Sequence, residues 1–260
     1  MRTVVIAMAL ATLAASGARA EIVTKAVEYE QGGVTLEGKV VYDDATTAKR
    51  PGVLVVHQWM GPTDYEVGRA RQLAELGYVA FVADIYGKGV RPADMKEAGE
   101  TAGRFRADRA LLRARAVAGL DALKAQPTVD AKRVAAIGYC FGGGTVLELA
   151  RSGAGLAGVV SFHGFLDSPT PADAKAIRAR VLALHGAADP FVPAEQVAAF
   201  KKEMDDAKVR YEFVAYPGAV HAFTVKSAGD DPSKGMAYDA KADAASWKKM
   251  KEFLAAIFKK

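Results

Sequence analysis

Three residues of this 260-residue chain, Cys140, Asp189 and His221, have types and positions that can carry out nucleophilic acyl transfer. Cys140 lies in Arg133-Val134-Ala135-Ala136-Ile137-Gly138-Tyr139-Cys140-Phe141-Gly142-Gly143-Gly144, where an apolar run meets a glycine-framed cysteine and passes into a helical pattern. The stretch reads as strand, sharp turn, helix. The Gly138-x-Cys140-x-Gly142 spacing is the nucleophile-elbow pattern with sulfur in place of the serine oxygen. Small flanking residues let the backbone take a strained turn that lifts the central side chain above the sheet edge. A lone cysteine would read as a buried thiol, but glycines at both flanking second positions, after an apolar strand, turn the reading to a nucleophile.

A thiol nucleophile needs a base to take its proton, and the base needs an acid to orient it. His57, His163 and His185 lie at strand ends ahead of any suitable acid, whereas His221 follows the last strand. The order nucleophile, acid, histidine therefore selects His221. Asp189, in His185-Gly186-Ala187-Ala188-Asp189-Pro190, sits in a turn directly after a buried strand. There a carboxylate can accept from Nδ1–H of the imidazole and hold the useful tautomer. Alone, this Asp-Pro would be a turn former; together with Cys140 and His221 it reads as the acid. The expected oxyanion donors are the backbone N–H groups of Phe141 and of Trp59, in the loop after an early strand. No H-E-x-x-H or cysteine–histidine cluster is present, so no metal is expected, and the chemistry needs no cofactor.

The elements that must position these residues follow from the apolar pattern. Residues 21–42 alternate around Gln31-Gly32-Gly33 and read as a lead-in hairpin. Apolar strands are expected near 53–57, 78–83, 133–139, 156–162, 181–185 and 210–216. Between them come a helix capped by Thr63-Asp64, one long helical region ending near Gln126-Pro127, and helices over 145–151, 193–208 and 239–258. The long region carries Arg106, Arg109 and Arg113 on one face, which reads as a solvated basic surface. The last helix presents Trp247, Met250, Phe253, Leu254, Ile257 and Phe258 as a stripe for packing against the sheet. This alternation implies an α/β fold with a mostly parallel sheet, helices on both faces and short antiparallel strands at the N-terminus. Ligands of such sheets bind beyond the carboxyl ends of the strands.

Half of the residues are apolar (51%), enough for one sizeable core, and no composition shift divides residues 21–260, which read as a single domain. Residues 1–20 read instead as a cleavable signal peptide: Met1-Arg2, an apolar stretch, then Ala18-Arg19-Ala20 before Glu21. The expected location is periplasmic or secreted. A single cysteine in such a compartment forms no internal disulfide, which adds to the case for a reactive thiol. The net charge of +5 includes Arg2 and Arg19, leaving +3 from Glu21 onward, too mild to point to nucleic acid or a membrane surface. The sequence sets no oligomeric state and is compatible with a monomer.

The chain resembles the dienelactone hydrolase (carboxymethylenebutenolidase) family of α/β-hydrolases. The resemblance runs through Val55-Val56-His57-Gln58-Trp59-Met60-Gly61, Asp84-Ile85-Tyr86-Gly87, Gly138-Tyr139-Cys140-Phe141-Gly142-Gly143, His185-Gly186-Ala187-Ala188-Asp189 and His221-Ala222-Phe223. It implies a Cys140–His221–Asp189 triad that hydrolyses a small-molecule ester or lactone through a thioester acyl-enzyme, with Gln58, Met60, Tyr86, Lys88 and Phe223 in the substrate pocket. Two departures stand out. Gln58 occupies the place of a family glutamate that interacts with the resting thiol, and glutamine cannot accept that proton. Of the two arginines that hold the substrate carboxylate in the family's dienelactone enzymes, one position is Lys88 and the other Val225, which argues against dienelactone itself as substrate. Alternative readings are a thioesterase or broad esterase, and a binding protein that keeps the fold without turnover. A thiol redox protein is disfavoured because no resolving cysteine exists.

Overall fold

The structure is a computed structural model that describes residues 21–259, so the signal-peptide expectation for residues 1–20 lies outside the described residues. The eight strands are β1 (Ile22–Gln31), β2 (Val34–Asp43), β3 (Arg50–Val56), β4 (Val79–Ala83), β5 (Val129–Tyr139), β6 (Gly158–Phe162), β7 (Arg180–Gly186) and β8 (Tyr211–Tyr216). They form one sheet in the order β1-β2-β4-β3-β5-β6-β7-β8. The expected N-terminal hairpin is present: β1 and β2 pair antiparallel through Gln31↔Val34, and β2 joins β4 antiparallel. Every pair from β4 to β8 is parallel, which brings the ends of β5, β6 and β7 to one edge.

The strands alternate their side chains between two cores, as period-two geometry requires. Val53 and Val55 face α1 (Asp64–Glu75) and α6 (Ala240–Phe258), joining Leu73, Met250, Phe253 and Leu254. Leu54 and Val56 face the opposite way, toward α2 (Met95–Ala107), α3 (Arg109–Lys124), α4 (Phe141–Arg151) and α5 (Ala194–Asp206). Met250, Phe253, Leu254 and Phe258 of the α6 stripe are buried there, with Trp247 and Ile257 packed at the margin.

One expectation needs correction. The region read as a single long helix is two, because Asp108 leaves helical geometry and its side chain caps α3 by accepting from Leu111 N–H at 2.9 Å. α2 therefore ends at Ala107 and α3 begins at Arg109, and only α2 of the two lines the cavity beside Cys140. Among the described residues, no helix is long and apolar enough to cross a membrane.

Candidate active site

β5 ends at Tyr139 and α4 begins at Phe141, so Cys140 alone turns the chain, at φ 53° and ψ −114°. A non-glycine residue holds such a conformation only where its surroundings impose it. Here strand and helix are clamped together: a Cβ on Gly138 would lie 2.1 Å from the Gly142 carbonyl oxygen, and one on Gly142 would lie 2.2 Å from the Val56 carbonyl oxygen. The Cys140 N–H points to the Phe162 carbonyl at 3.0 Å and to His163 Nδ1 at 3.1 Å. The sulfur side chain remains partly exposed.

His221 Nε2 lies 3.0 Å from the Cys140 sulfur, and its Nδ1 lies 2.8 Å from Asp189 Oδ2. The second Asp189 oxygen accepts from the Phe191 N–H at 2.9 Å, which fixes the carboxylate in its turn. The His221 backbone is pinned by Gly235 and Ala237, its N–H donating to one and its carbonyl accepting from the other at 3.1 Å each. Both Asp189 and His221 are buried. Burial disfavours a charged imidazole, but the adjoining Cys140 sulfur and the Asp189 carboxylate outweigh it and push the His221 pKa up to about 10. The pair therefore favours imidazolium beside sulfur.

His163 is fully buried and holds a positive φ of 39°; its pKa lies well below the ordinary range, chiefly from burial and then from His221. A neutral ring accepting at Nδ1 carries its proton on Nε2, which reaches Thr224 Oγ1 at 2.7 Å. Thr224 in turn meets the Tyr65 hydroxyl at 2.7 Å. A polar chain thus ties the back of the elbow to α1. The sequence marks His163 only as a residue at a strand end.

The loop after β3 is tied down peptide by peptide. Gln58 N–H donates to Glu66 Oε1 at 3.2 Å, while the Gln58 carbonyl accepts from His57 Nδ1 and from Gly61 N–H. The Trp59 carbonyl accepts from the Tyr86 hydroxyl at 2.9 Å. Glu66 also takes the Thr63 N–H and hydroxyl at 2.9 and 2.6 Å, so one fully buried carboxylate caps α1 and anchors the loop. Burial raises its pKa, against the pull of these hydrogen bonds. Burial also lowers the His57 pKa to about 4, which keeps that ring neutral between the Gln58 carbonyl and the Ile85 N–H. Neither the Trp59 nor the Phe141 N–H donates a turn, loop or cap hydrogen bond among the described residues. Both residues border the same cavity as Cys140.

That cavity, about 300 Å³, is bordered by both Cys140 and His221. Trp59, Phe141, Phe165, Phe191, Val192 and Met236 give it apolar walls, and α2 contributes Gly99, Ala102, Gly103 and Arg106. The expected pocket residues Gln58, Met60, Tyr86, Lys88 and Phe223 do not line it. Tyr86 is buried beneath the loop against His57, Phe105 and Phe141. Lys88 turns away to pair with Glu28 at 2.6 Å, Phe223 packs in the core against His163 and Tyr216, and the Gln58 backbone belongs to the loop's anchoring. Nothing in the structure gives Met60 a place at the cavity. The basic face also needs correction: Arg109 and Arg113 pair with Asp167, Glu148 and Asp173, and Arg106 reaches the cavity rim. No periodic signal marked Arg106, Phe165 or Phe191 as pocket residues. No group of histidine, cysteine, aspartate and glutamate among the described residues is arranged to hold a metal ion.

Known proteins are similar to this chain in sequence and fold. The chain is similar to the solved structure m3DLH, with 41% identity, a TM-score of 0.88 and coverage of 92% of this chain and 99% of that one. It is similar to a dienelactone hydrolase-like promiscuous phosphotriesterase from metagenomic libraries, with 40% identity, a TM-score of 0.86 and the same coverage of each chain. Among curated proteins, a "probable 2-oxo-3-(5-oxofuran-2-ylidene)propanoate lactonase" of Bradyrhizobium is 29% identical over 213 residues, 77% of this chain and 85% of that protein. The model of the dienelactone hydrolase family, whose members hydrolyse ester and lactone bonds, matches residues 37–258, from β2 to the end of α6, and the chain belongs to that family.

Proposed function

We propose that the protein is an exported hydrolase in which Cys140, His221 and Asp189 cleave a carboxylic ester or lactone through a thioester acyl-enzyme. The observation that carries this reading is the single line from sulfur to carboxylate: Sγ to Nε2 at 3.0 Å and Nδ1 to Oδ2 at 2.8 Å, opening onto a cavity. Cys140 Sγ attacks the carbonyl carbon, and the developing oxyanion takes the free N–H groups of Trp59 and Phe141. The C–O bond then breaks, and the leaving oxygen takes the Nε2 proton. Water next attacks the thioester and gives a proton to Nε2; the C–S bond breaks and the acid departs, returning the sulfur and His221 to their starting state. Asp189 holds the ring throughout and stabilises its charge.

Gln58 does not remove this chemistry, because His221 Nε2, 3.0 Å from the sulfur, can take the thiol proton without a carboxylate at that position. Export rests on the leader-like residues 1–20 and the unpaired thiol, and a periplasmic or extracellular location follows from it. The metagenomic relative's name makes a phosphotriester a second substrate class for this thiol, attacked at phosphorus within the same oxyanion donors. The test is hydrolysis of p-nitrophenyl acetate, a lactone and a phosphotriester by the protein and by Cys140→Ala, with mass spectrometry of the trapped enzyme. Turnover lost in the variant, with an acyl adduct on Cys140, supports the reading. Equal activity of the two proteins, without an adduct, overturns it.

A further inference from the structure

The cavity beside Cys140 has features that select a ligand class, and from them we infer that it receives the uncharged, aromatic part of the substrate, with Gly103 setting the room available. This inference rests on the hydrolase reading for the bond that is cut, but not for what the cavity binds.

The charges come first. Lys88, the cation at the family's anion-binding position, is bound to Glu28 and does not face the cavity. Apart from His221, which is engaged with Cys140 and Asp189, Arg106 is the one ionised side chain lining it among the described residues, and its charge is already engaged: its guanidinium lies over the Phe165 ring at 4.5 Å and reaches Asp167 at 3.2 Å. Asp167 is shared with Arg109 at 2.6 Å. A substrate carboxylate entering here would lose water without gaining a free cation, which is unfavourable in an apolar site.

The walls supply the second argument. Phe191 is 55% exposed, although large apolar side chains are commonly covered, and its ring stands edge-on to His221 at 5.5 Å and 85°. Trp59 borders the same space from the oxyanion loop. Flat aromatic groups gain most from such surfaces, through area burial and offset or edge contacts.

The third argument is the α2 wall. Gly99, Ala102, Gly103 and Arg106 recur at helical spacing along the one face that borders the cavity. Glycine weakens a helix interior, so it needs a reason there. Neither Gly99 nor Gly103 takes a positive φ. Neither is crowded: a Cβ on Gly103 would meet nothing within 4 Å, and one on Gly99 would only reach the Trp59 ring at 4.0 Å. Both glycines are exposed and border the cavity, so what they provide is open space at its mouth.

Cys140 is the sole cysteine, so alkylation reads cavity preference without requiring turnover. Phenacyl bromide, bromoacetamide and bromoacetate each transfer a carbon to sulfur with loss of bromide, and their rates are divided by those with glutathione. The expected order is phenacyl bromide, then bromoacetamide, then bromoacetate, with about a tenfold or larger advantage for phenacyl over bromoacetamide. Gly103→Leu should lower that ratio, and Gly103→Ala should lower it less. Normalised ratios near unity overturn the inference, as does a preference for bromoacetate that Arg106→Gln abolishes. Hydrolysis of para-acetoxybenzoate and its methyl ester is measured in parallel. Phenacyl selectivity without ester turnover leaves the cavity inference standing and removes the hydrolase reading. Turnover that favours the anionic ester does the reverse.

Discussion

On one side of the Cys140 sulfur, the ends of three parallel strands meet within hydrogen-bonding reach, and the groups that face the sulfur are held by named partners. On the other side, one helix face and a few loop side chains enclose open volume. Residues on the first side are there because little else fits: Gly138 and Gly142 lie against carbonyl oxygens, Asp189 is held by the Phe191 N–H, and His221 is pinned on both sides of its own peptide. On the second side, Gly99 and Gly103 leave space beside walls that pack behind them. The reacting groups are thus fixed by constraint, whereas the binding space is defined by what is left out, and substitutions should behave oppositely on the two sides.

The largest effect belongs to the sulfur. Cys140→Ala should lower turnover at least about a thousandfold, because partners that act as a unit lose most of their value when the nucleophile goes. Steady-state kinetics and acyl trapping read this directly. Next comes the clamp. In Gly142→Ala the added methyl meets the Val56 carbonyl at 2.2 Å, and strand and helix must separate; a loss on the order of 4 kcal/mol or more is expected by urea unfolding. A variant within about 1 kcal/mol of the parent would mean that the elbow yields and is not constrained as described.

A smaller effect tests the loop that carries the Trp59 N–H. Glu66→Ala leaves the Gln58 and Thr63 N–H groups without their buried acceptor, and the oxyanion donor drifts. Turnover should fall about ten- to a hundredfold with KM little changed, since misplacement by an ångström costs on that order. Glu66→Gln restores one acceptor oxygen and should recover part of kcat. A loss confined to thermal stability would make Glu66 a helix cap alone.

The electrostatics of the pair offer a further test with a defined sign. His221 has a folded pKa of about 10 against an ordinary 6.5, so the native state binds its proton more tightly than the unfolded chain. Its stabilising contribution is fully present below pH 6.5 and is lost as pH rises through about 10. The Cys140 sulfur leads the upward contributions, so Cys140→Ala should move the His221 titration downward, with burial then opposing Asp189 alone. Ring-proton NMR titration measures both. A midpoint unchanged by the substitution would show that sulfur does not hold the imidazolium.

The same division explains what could be read from the sequence. Gly138-x-Cys140-x-Gly142 was legible because backbone sterics admit almost nothing else, and the turns holding Asp189 and His221 were legible because chain order and loop chemistry restrict them. Thr63 was legible as a cap for the same reason, since orphan N–H groups demand an acceptor. The break at Asp108 was missed because alanine, leucine and arginine continue through both helices, and one aspartate among them signals weakly. The cavity was missed more completely. Phe165, Phe191 and Met236 lie on loops without periodicity, and Arg106 shares its spacing with Arg109 and Arg113, whose partners lie far along the chain. The family resemblance pointed instead to Lys88 and Phe223, which the fold turns to Glu28 and to the core.

The smallest expected effect is also the one that most sharply separates the two sides. Gly103→Ala adds the same methyl group as Gly142→Ala, but into space with no atom within 4 Å. Alanine is the better helix residue by about 0.5–1 kcal/mol, so α2 and with it the protein should become more stable by roughly that amount. The methyl should also narrow the cavity and lower the rate of phenacyl alkylation relative to bromoacetamide. Stability gained and aromatic preference lost in one variant would mean that this glycine is held for the ligand against the interest of the helix. A gain in stability with unchanged preference would place Gly103 outside the space the ligand uses, and a loss of stability would mean that α2 packs more tightly there than the open volume indicates.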